Sequence, residues 1–131
     1  MIKYFEASDV KATVEEIVEV LHFVNIKPQY VYCFRSIGSR SKYTIARIHS
    51  VGKIWHKALH ITPSYIIEVI SERYDKLDID QKEKTIIHEL LHIPKGFSGG
   101  LLPHKGYIKK QFVDKLHAEM RKKRINETLD P

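Results

Sequence analysis

Five consecutive residues carry the clearest chemistry in this chain: His88-Glu89-Leu90-Leu91-His92. On a helix, residues four apart differ by roughly 40° and one turn of rise, so both imidazoles can reach a single tetrahedral ion. Glu89 would lie about 100° round from His88, off the ligand line but close enough to touch a metal-bound water. A carboxylate there can take the water's proton and pass it to a leaving amine, while zinc lowers the water's pKa and polarises a carbonyl. The neighbours Ile86, Ile87, Leu90, Leu91 and Ile93 are apolar, so two imidazoles and a carboxylate in this segment would be costly without a partner. One zinc ion supplies that partner.

A catalytic zinc needs a third protein ligand and one position left open. His104 is the candidate, because it follows Gly96, Gly99 and Gly100, which free the chain to turn back, and comes just after Pro103, read as a helix start. Ile108, Phe112, Leu116 and Met120 then recur every four residues, which sets His104 at the head of an inward-facing stripe. Glu119 is the carboxylate alternative. It would stand about 22 Å along the same helix, so the two could not share an ion. Tyr107 could donate a hydrogen bond to the oxyanion of a tetrahedral intermediate, although packing or exposure is the plainer reading. His60 could line a substrate cleft. His22, His49, His56 and His117 fit no spacing that a metal or a catalytic relay requires.

The elements that must position these residues follow from periodicity. Apolar residues at three- and four-residue spacing from Asp9 to about Val24 predict a helix, capped by Ser8 or Asp9. Tyr30 to Phe34 reads as a strand, with two more over Tyr43 to Ile48 and Lys57 to Ile61. A helix is expected from Pro63 to about Tyr74. The helix carrying His88 should start at a capping box, Asp80 with Glu83, and end near His92 because Pro94 disfavours helical geometry before it. A last helix should run from Pro103 to about Arg124. The sum is an α+β fold with a small, mostly antiparallel sheet of about three to four strands packed on three to four helices.

At 131 residues, one domain spanning residues 1 to 131 is expected. No apolar run approaches a membrane span, and MIKYFEASDVKATVEE does not read as a secretory signal, so the expected location is the cytoplasm. The single cysteine, Cys33, excludes a disulfide framework and a cysteine-rich zinc ribbon, and its apolar setting suits a small buried hydrophobe. The net charge of +6 admits a nucleic-acid partner, through Lys105, Lys109, Lys110, Lys115 and the run Arg121-Lys122-Lys123-Arg124. A solvated basic face is the commoner meaning of such a run.

The stretch from about Ala58 to Leu116 resembles the compact zincin metallopeptidases, especially the SprT-like proteins and a phage or archaeal metallopeptidase family. The likeness rests on Ala58-Leu59-His60-Ile61-Thr62 as a strand, a helical segment, and HELLHIPKGFSGGLLPH, where a loop separates H-E-x-x-H from a later histidine. The resemblance implies a minimal zincin-like fold, a protein or peptide substrate, His88, His92 and His104 as ligands, and Glu89 as general base. It also implies that the strand near residues 58 to 62 is the edge along which an extended peptide binds by strand addition. Ser98 stands where a metzincin has its third histidine, which removes that subgroup. Three functions follow in order: peptide-bond hydrolysis, a DNA-associated protease or zinc-containing nucleic-acid module, and a purely structural zinc, for which no fourth ligand is evident.

Overall fold

The structure, a computed structural model, describes residues 1 to 104 and 108 to 129. Its elements run β1 (Lys3–Glu6), α1 (Ser8–Val20), a 3₁₀ turn (Pro28–Tyr30), β2 (Val31–Ile37), β3 (Ala46–Ser50), α2 (Lys53–Leu59), β4 (Tyr65–Ile70), α3 (Ser71–Tyr74), α4 (Ile79–Leu90) and α5 (Lys110–Leu129). The four strands form one mixed sheet in the order β1-β2-β4-β3. β1 pairs antiparallel with β2, β2 runs parallel to β4, and β3 pairs antiparallel with β4. The protein is therefore α+β, and its arrangement is compatible with a small zincin-like fold. None of the described helices is long and apolar enough to cross a membrane.

The core lies on one face of this sheet. Val10, Val14 and Ile17 of α1, with Ile86, Ile87 and Leu90 of α4, bury against Val31 and Cys33 of β2 and Tyr65, Ile67 and Val69 of β4. Val113 and Met120 of α5 close the same cluster. Each fully buried aliphatic side chain of this kind contributes about 1.5–3 kcal/mol, so α4 is held chiefly by its apolar face. Cys33 is buried, as expected, and burial pushes its thiol up to about 11.

Two charged clusters brace the layers. Arg35 of β2 grips both oxygens of Asp9 on α1, at 3.0 and 2.9 Å, and both oxygens of Asp75 beyond α3, at 2.9 and 2.7 Å. Glu83 of α4 is buried and takes hydrogen bonds from Arg124 and, at 3.0 Å, from the Nε2 of His117, both on α5. Arg121 adds a bond to Asp80 at 3.0 Å.

Several expected boundaries move. Lys57 to Ile61 is not a strand: Lys53–Leu59 is α2, and His60 ends it in the left-handed conformation at φ 54°. Pro63 to Tyr74 is not one helix either. Tyr65–Ile70 is β4, nearly all buried, and only Ser71–Tyr74 is helical. A short apolar run bears no period that separates a central strand from a buried helix, and here the β-branched Ile66, Ile67, Val69 and Ile70 decide for the strand. β3, at Ala46–Ser50, begins three residues later and ends two residues later than the expected strand over Tyr43 to Ile48. α1 begins after Ala7 with no side-chain cap, so neither Ser8 nor Asp9 caps it. α4 is capped by Asp78, whose side chain accepts from the Gln81 N–H at 2.8 Å, while Asp80 and Glu83 turn to α5 instead. The last helix, α5, begins at Lys110, not at Pro103, so His104 lies in the loop before it.

The Glu83 cluster gives a pH-dependent stability. Burial pushes this carboxyl's pKa up, but the hydrogen bonds from Arg124 and His117 outweigh burial and hold it below the ordinary carboxylate range. A folded-state pKa below the unfolded one stabilises at pH values above about 4, and that part is lost as the pH falls further. Urea midpoints should therefore drop on acidification, and Glu83→Gln should flatten that drop. Arg124→Ala, which leaves the carboxylate half-paired, should cost about 2 kcal/mol at neutral pH.

Candidate metal centre

The apolar face of α4 fixes its orientation. With Ile86, Ile87 and Leu90 turned into the core, the opposite side carries Thr85, His88 and Glu89 into a cleft of about 730 Å³. α4 stops at Leu90, and the next turn tightens: His92 N–H donates to Glu89 C=O and Ile93 N–H to Leu90 C=O, each at 3.1 Å. His92 therefore sits just past the helix end and still faces the cleft.

The chain then returns on itself. Phe97 at φ 48°, Gly99 at φ 91° and Gly100 at φ 75° turn it in left-handed backbone, which costs glycine nothing sterically. Tyr65 secures this turn, its hydroxyl accepting from Gly99 N–H and donating to Gly100 C=O, both at 3.1 Å. Ser50 Oγ accepts from Gly100 N–H at 2.9 Å. At the end of the loop Leu102 N–H donates to His92 C=O at 2.8 Å, and Leu102 C=O accepts from His92 Nδ1–H. With Nδ1 donating, Nε2 of His92 is left with a lone pair facing the cleft.

His104 follows two residues later. Its Nε2 lies 3.0 Å from Nε2 of His88 and 3.0 Å from Nε2 of His92. Ligands at zinc–nitrogen distances in tetrahedral geometry stand about 3.4 Å apart, so the three atoms are spaced much as a single ion requires. Without a cation the cluster is badly matched: one proton on His104 Nε2 can satisfy only one of its two neighbours, leaving lone pairs opposed. Burial, and then the neighbouring His92 and His104, push the His88 pKa down to about 4, so His88 does not relieve the clash by taking up a proton near neutrality. The donor set fits a divalent ion held by neutral imidazoles, with His104 exposed and the cleft open beyond it.

Glu89 is the other chemical group in this cleft. The residue is 7% exposed, its carboxylate accepts no hydrogen bond among the described residues, and burial pushes its pKa up to about 7. A carboxylate poised near neutrality beside a cluster of three imidazoles is suited to accept and release a proton.

One wall of the cleft is the edge strand β3 with the residues before it, Tyr43 to Ile48; the other is Leu101, Leu102 and Pro103. Ile45 C=O accepts from Ile70 N–H at 2.8 Å, so residues 45, 47 and 49 bond inward to β4. By the same alternation Ala46 and Ile48 turn their N–H and C=O groups outward, along the cleft.

Other expectations fare differently. His60 is exposed at the end of α2 and does not line the cleft, and the edge strand there is β3, not residues 58 to 62. Glu119 is exposed on α5 and lies outside the histidine cluster. Tyr107 lies outside the described residues, as does Lys105 of the basic series. Within the basic run, Arg121 and Arg124 bond to acids on other helices, and Lys123 Nζ donates to Val20 C=O, so part of it serves as a brace. A second acid–histidine group, Asp80, Glu83 and His117, is already engaged by Arg121 and Arg124. Sequence reading missed Tyr65, Ser50 and Thr85. Only Thr85 left a signal, its four-residue spacing from Glu89.

A family model described as "Putative phage metallopeptidase" matches residues 2–127. No curated protein and no solved structure matches the chain.

The glycine turn yields a sharp expectation. A Cβ built on Gly99 would stand 2.7 Å from Cε1 of His56, in backbone that side chains rarely adopt. Gly99→Ala should shift the loop that carries His104 and lower affinity for a divalent ion by at least about tenfold, measured by competition with a chromogenic chelator. Gly100→Ala, with nothing within 4 Å of the added carbon but a left-handed φ of 75°, should cost less.

Proposed function

This chain belongs to the phage metallopeptidase family, and on that premise we propose that it is a zinc-dependent peptidase, holding one Zn²⁺ on His88, His92 and His104 and using Glu89 as general base. The observation that carries the reading is the convergence of three imidazole Nε2 atoms beside a buried, otherwise unbonded carboxylate. A zinc ion held there supplies Lewis acidity, lowering the pKa of water towards neutrality and polarising a carbonyl.

The remaining steps belong to the chain. Ala46 and Ile48 offer backbone donors and acceptors to an extended peptide, which would add to the sheet as a fifth strand and lie across the cleft. Leu101, Leu102 and Pro103 close the opposite side and limit water there. Glu89 takes a proton from the attacking water and gives it to the nitrogen of the leaving amine, a transfer favoured by a pKa near the working pH. His92, oriented by Leu102, keeps its Nε2 free of hydrogen throughout.

Removal of metal by a chelator should abolish cleavage of an unstructured protein such as casein, with activity returning on addition of zinc. Glu89→Gln should lower cleavage by about 10²–10⁴-fold while zinc content stays at one per chain. Equal cleavage by the wild type and Glu89→Gln would exclude Glu89 as the base, and absence of bound zinc would exclude the reading altogether.

A further inference from the structure

Arg47 occupies an unusual place in the cleft. It lies at the centre of edge strand β3, lines the cleft, and keeps 42% of its side chain exposed. Its nearest carboxylate is the buried Glu68 across the strand pair, with Nε to Oε1 at 3.5 Å, too long and poorly aimed for a hydrogen bond. The same Oε1 is taken by His49 at 2.8 Å. The Arg47 guanidinium thus donates no hydrogen bond among the described residues, and its Nε is buried without a partner. Of the five donors of this guanidinium, Nε–H is the buried one and lacks a partner, while the exposed terminal N–H groups are free to exchange water for a ligand in the cleft.

The strand geometry says which part of a ligand would do so. Ala46 and Ile48 pack against the core, so their side chains point to the helix side, while Arg47 and His49 point to the opposite face. A peptide bonded to the outward groups of Ala46 and Ile48 places one side chain directly beside Arg47, on Arg47's own face. Its neighbours on either side then project towards the metal cluster and the apolar wall of Leu101, Leu102 and Pro103. Among the residues lining the cleft, Glu89 is the one carboxylate, and it lies on the helix side, away from that position.

We propose that Arg47 is a specificity-determining residue: it selects peptides bearing an aspartate or glutamate at the position facing it on β3, flanked by residues without negative charge. The proposal rests on the peptidase reading for the nature of the occupant. Glu68 lies beside the guanidinium, Nε to Oε1 at 3.5 Å, without exhausting its donors, so an incoming carboxylate gains charge-assisted, two-pronged contacts. The discrimination expected of one such partly exposed contact is about tenfold.

The test uses the zinc-loaded protein and matched unstructured peptides in which a single glutamate is walked along an alanine- and leucine-based sequence, with glutamine and lysine at the same places as controls. Affinity is read on Glu89→Gln, and cleavage on the wild type. At one position glutamate should improve both by about tenfold over glutamine, and lysine should fall below glutamine. Arg47→Gln should bring the glutamate-to-glutamine ratio close to one, Arg47→Glu should invert it in favour of lysine, and Arg47→Lys should keep part of it. Zinc content and melting temperature of each variant separate lost selectivity from lost folding. A wild-type ratio near one at every position, or full discrimination retained by Arg47→Gln, would overturn the proposal. If Glu89→Gln binds the peptides with this selectivity while the wild type cleaves none, the peptidase reading fails and the recognition by Arg47 stands.

Discussion

The double tie between His92 and Leu102 is the constraint on which the rest of this site depends. Backbone Leu102 N–H to His92 C=O and side-chain Nδ1–H to Leu102 C=O fasten the end of a ten-residue excursion to the turn that follows α4. One bond closes the loop, and the other fixes the tautomer that leaves Nε2 facing His104. The two act on the same residue, so loop position and ligand chemistry are not separable. Tyr65 and Ser50 hold the middle of the excursion, and the glycines supply the backbone it needs. A loop this long would otherwise sample many positions, and ordering it at the moment of metal binding would weaken the site.

The opposing side of the site is rigid for a different reason. α4 packs its apolar face into the core and is pinned to α5 through Glu83, His117 and Arg124. His88 and Glu89 therefore need little of their own to hold position. The cost of two imidazoles and a carboxylate on a largely buried helix is met by placing them on the one side that opens to the cleft, with the polar Thr85 alongside. The same arrangement raises the basicity of Glu89 and lowers that of His88, since both are partly desolvated and neither has an opposite charge beside it.

The sheet contributes its edge. In the order β1-β2-β4-β3, strand β3 is left unpaired on one side, and that side borders the histidines. Long exposed edges invite unwanted pairing, and this one is short and carries Arg47 and His49. Charge at an edge serves both as protection and as a means of recognition, and the unspent donors of Arg47 connect the two.

Spacing along the chain carried local information. H-E-x-x-H points to a helix and to one face of it, since a four-residue spacing brings positions 88 and 92 together, although α4 ends at Leu90 and the tighter turn beyond it carries His92. The glycines announced a turn, and a histidine beyond them a third donor. The route proved different from a helix start at Pro103: His104 arrives on a loop, and α5 begins six residues later. Long-range packing alone set that route, and likewise made Lys53–Leu59 a helix, Tyr65–Ile70 a central strand and β3 the edge that borders the cleft. A short apolar run reads alike as strand or buried helix, and which strand lies at an edge depends on partners far apart in the chain, so no spacing along the sequence records it.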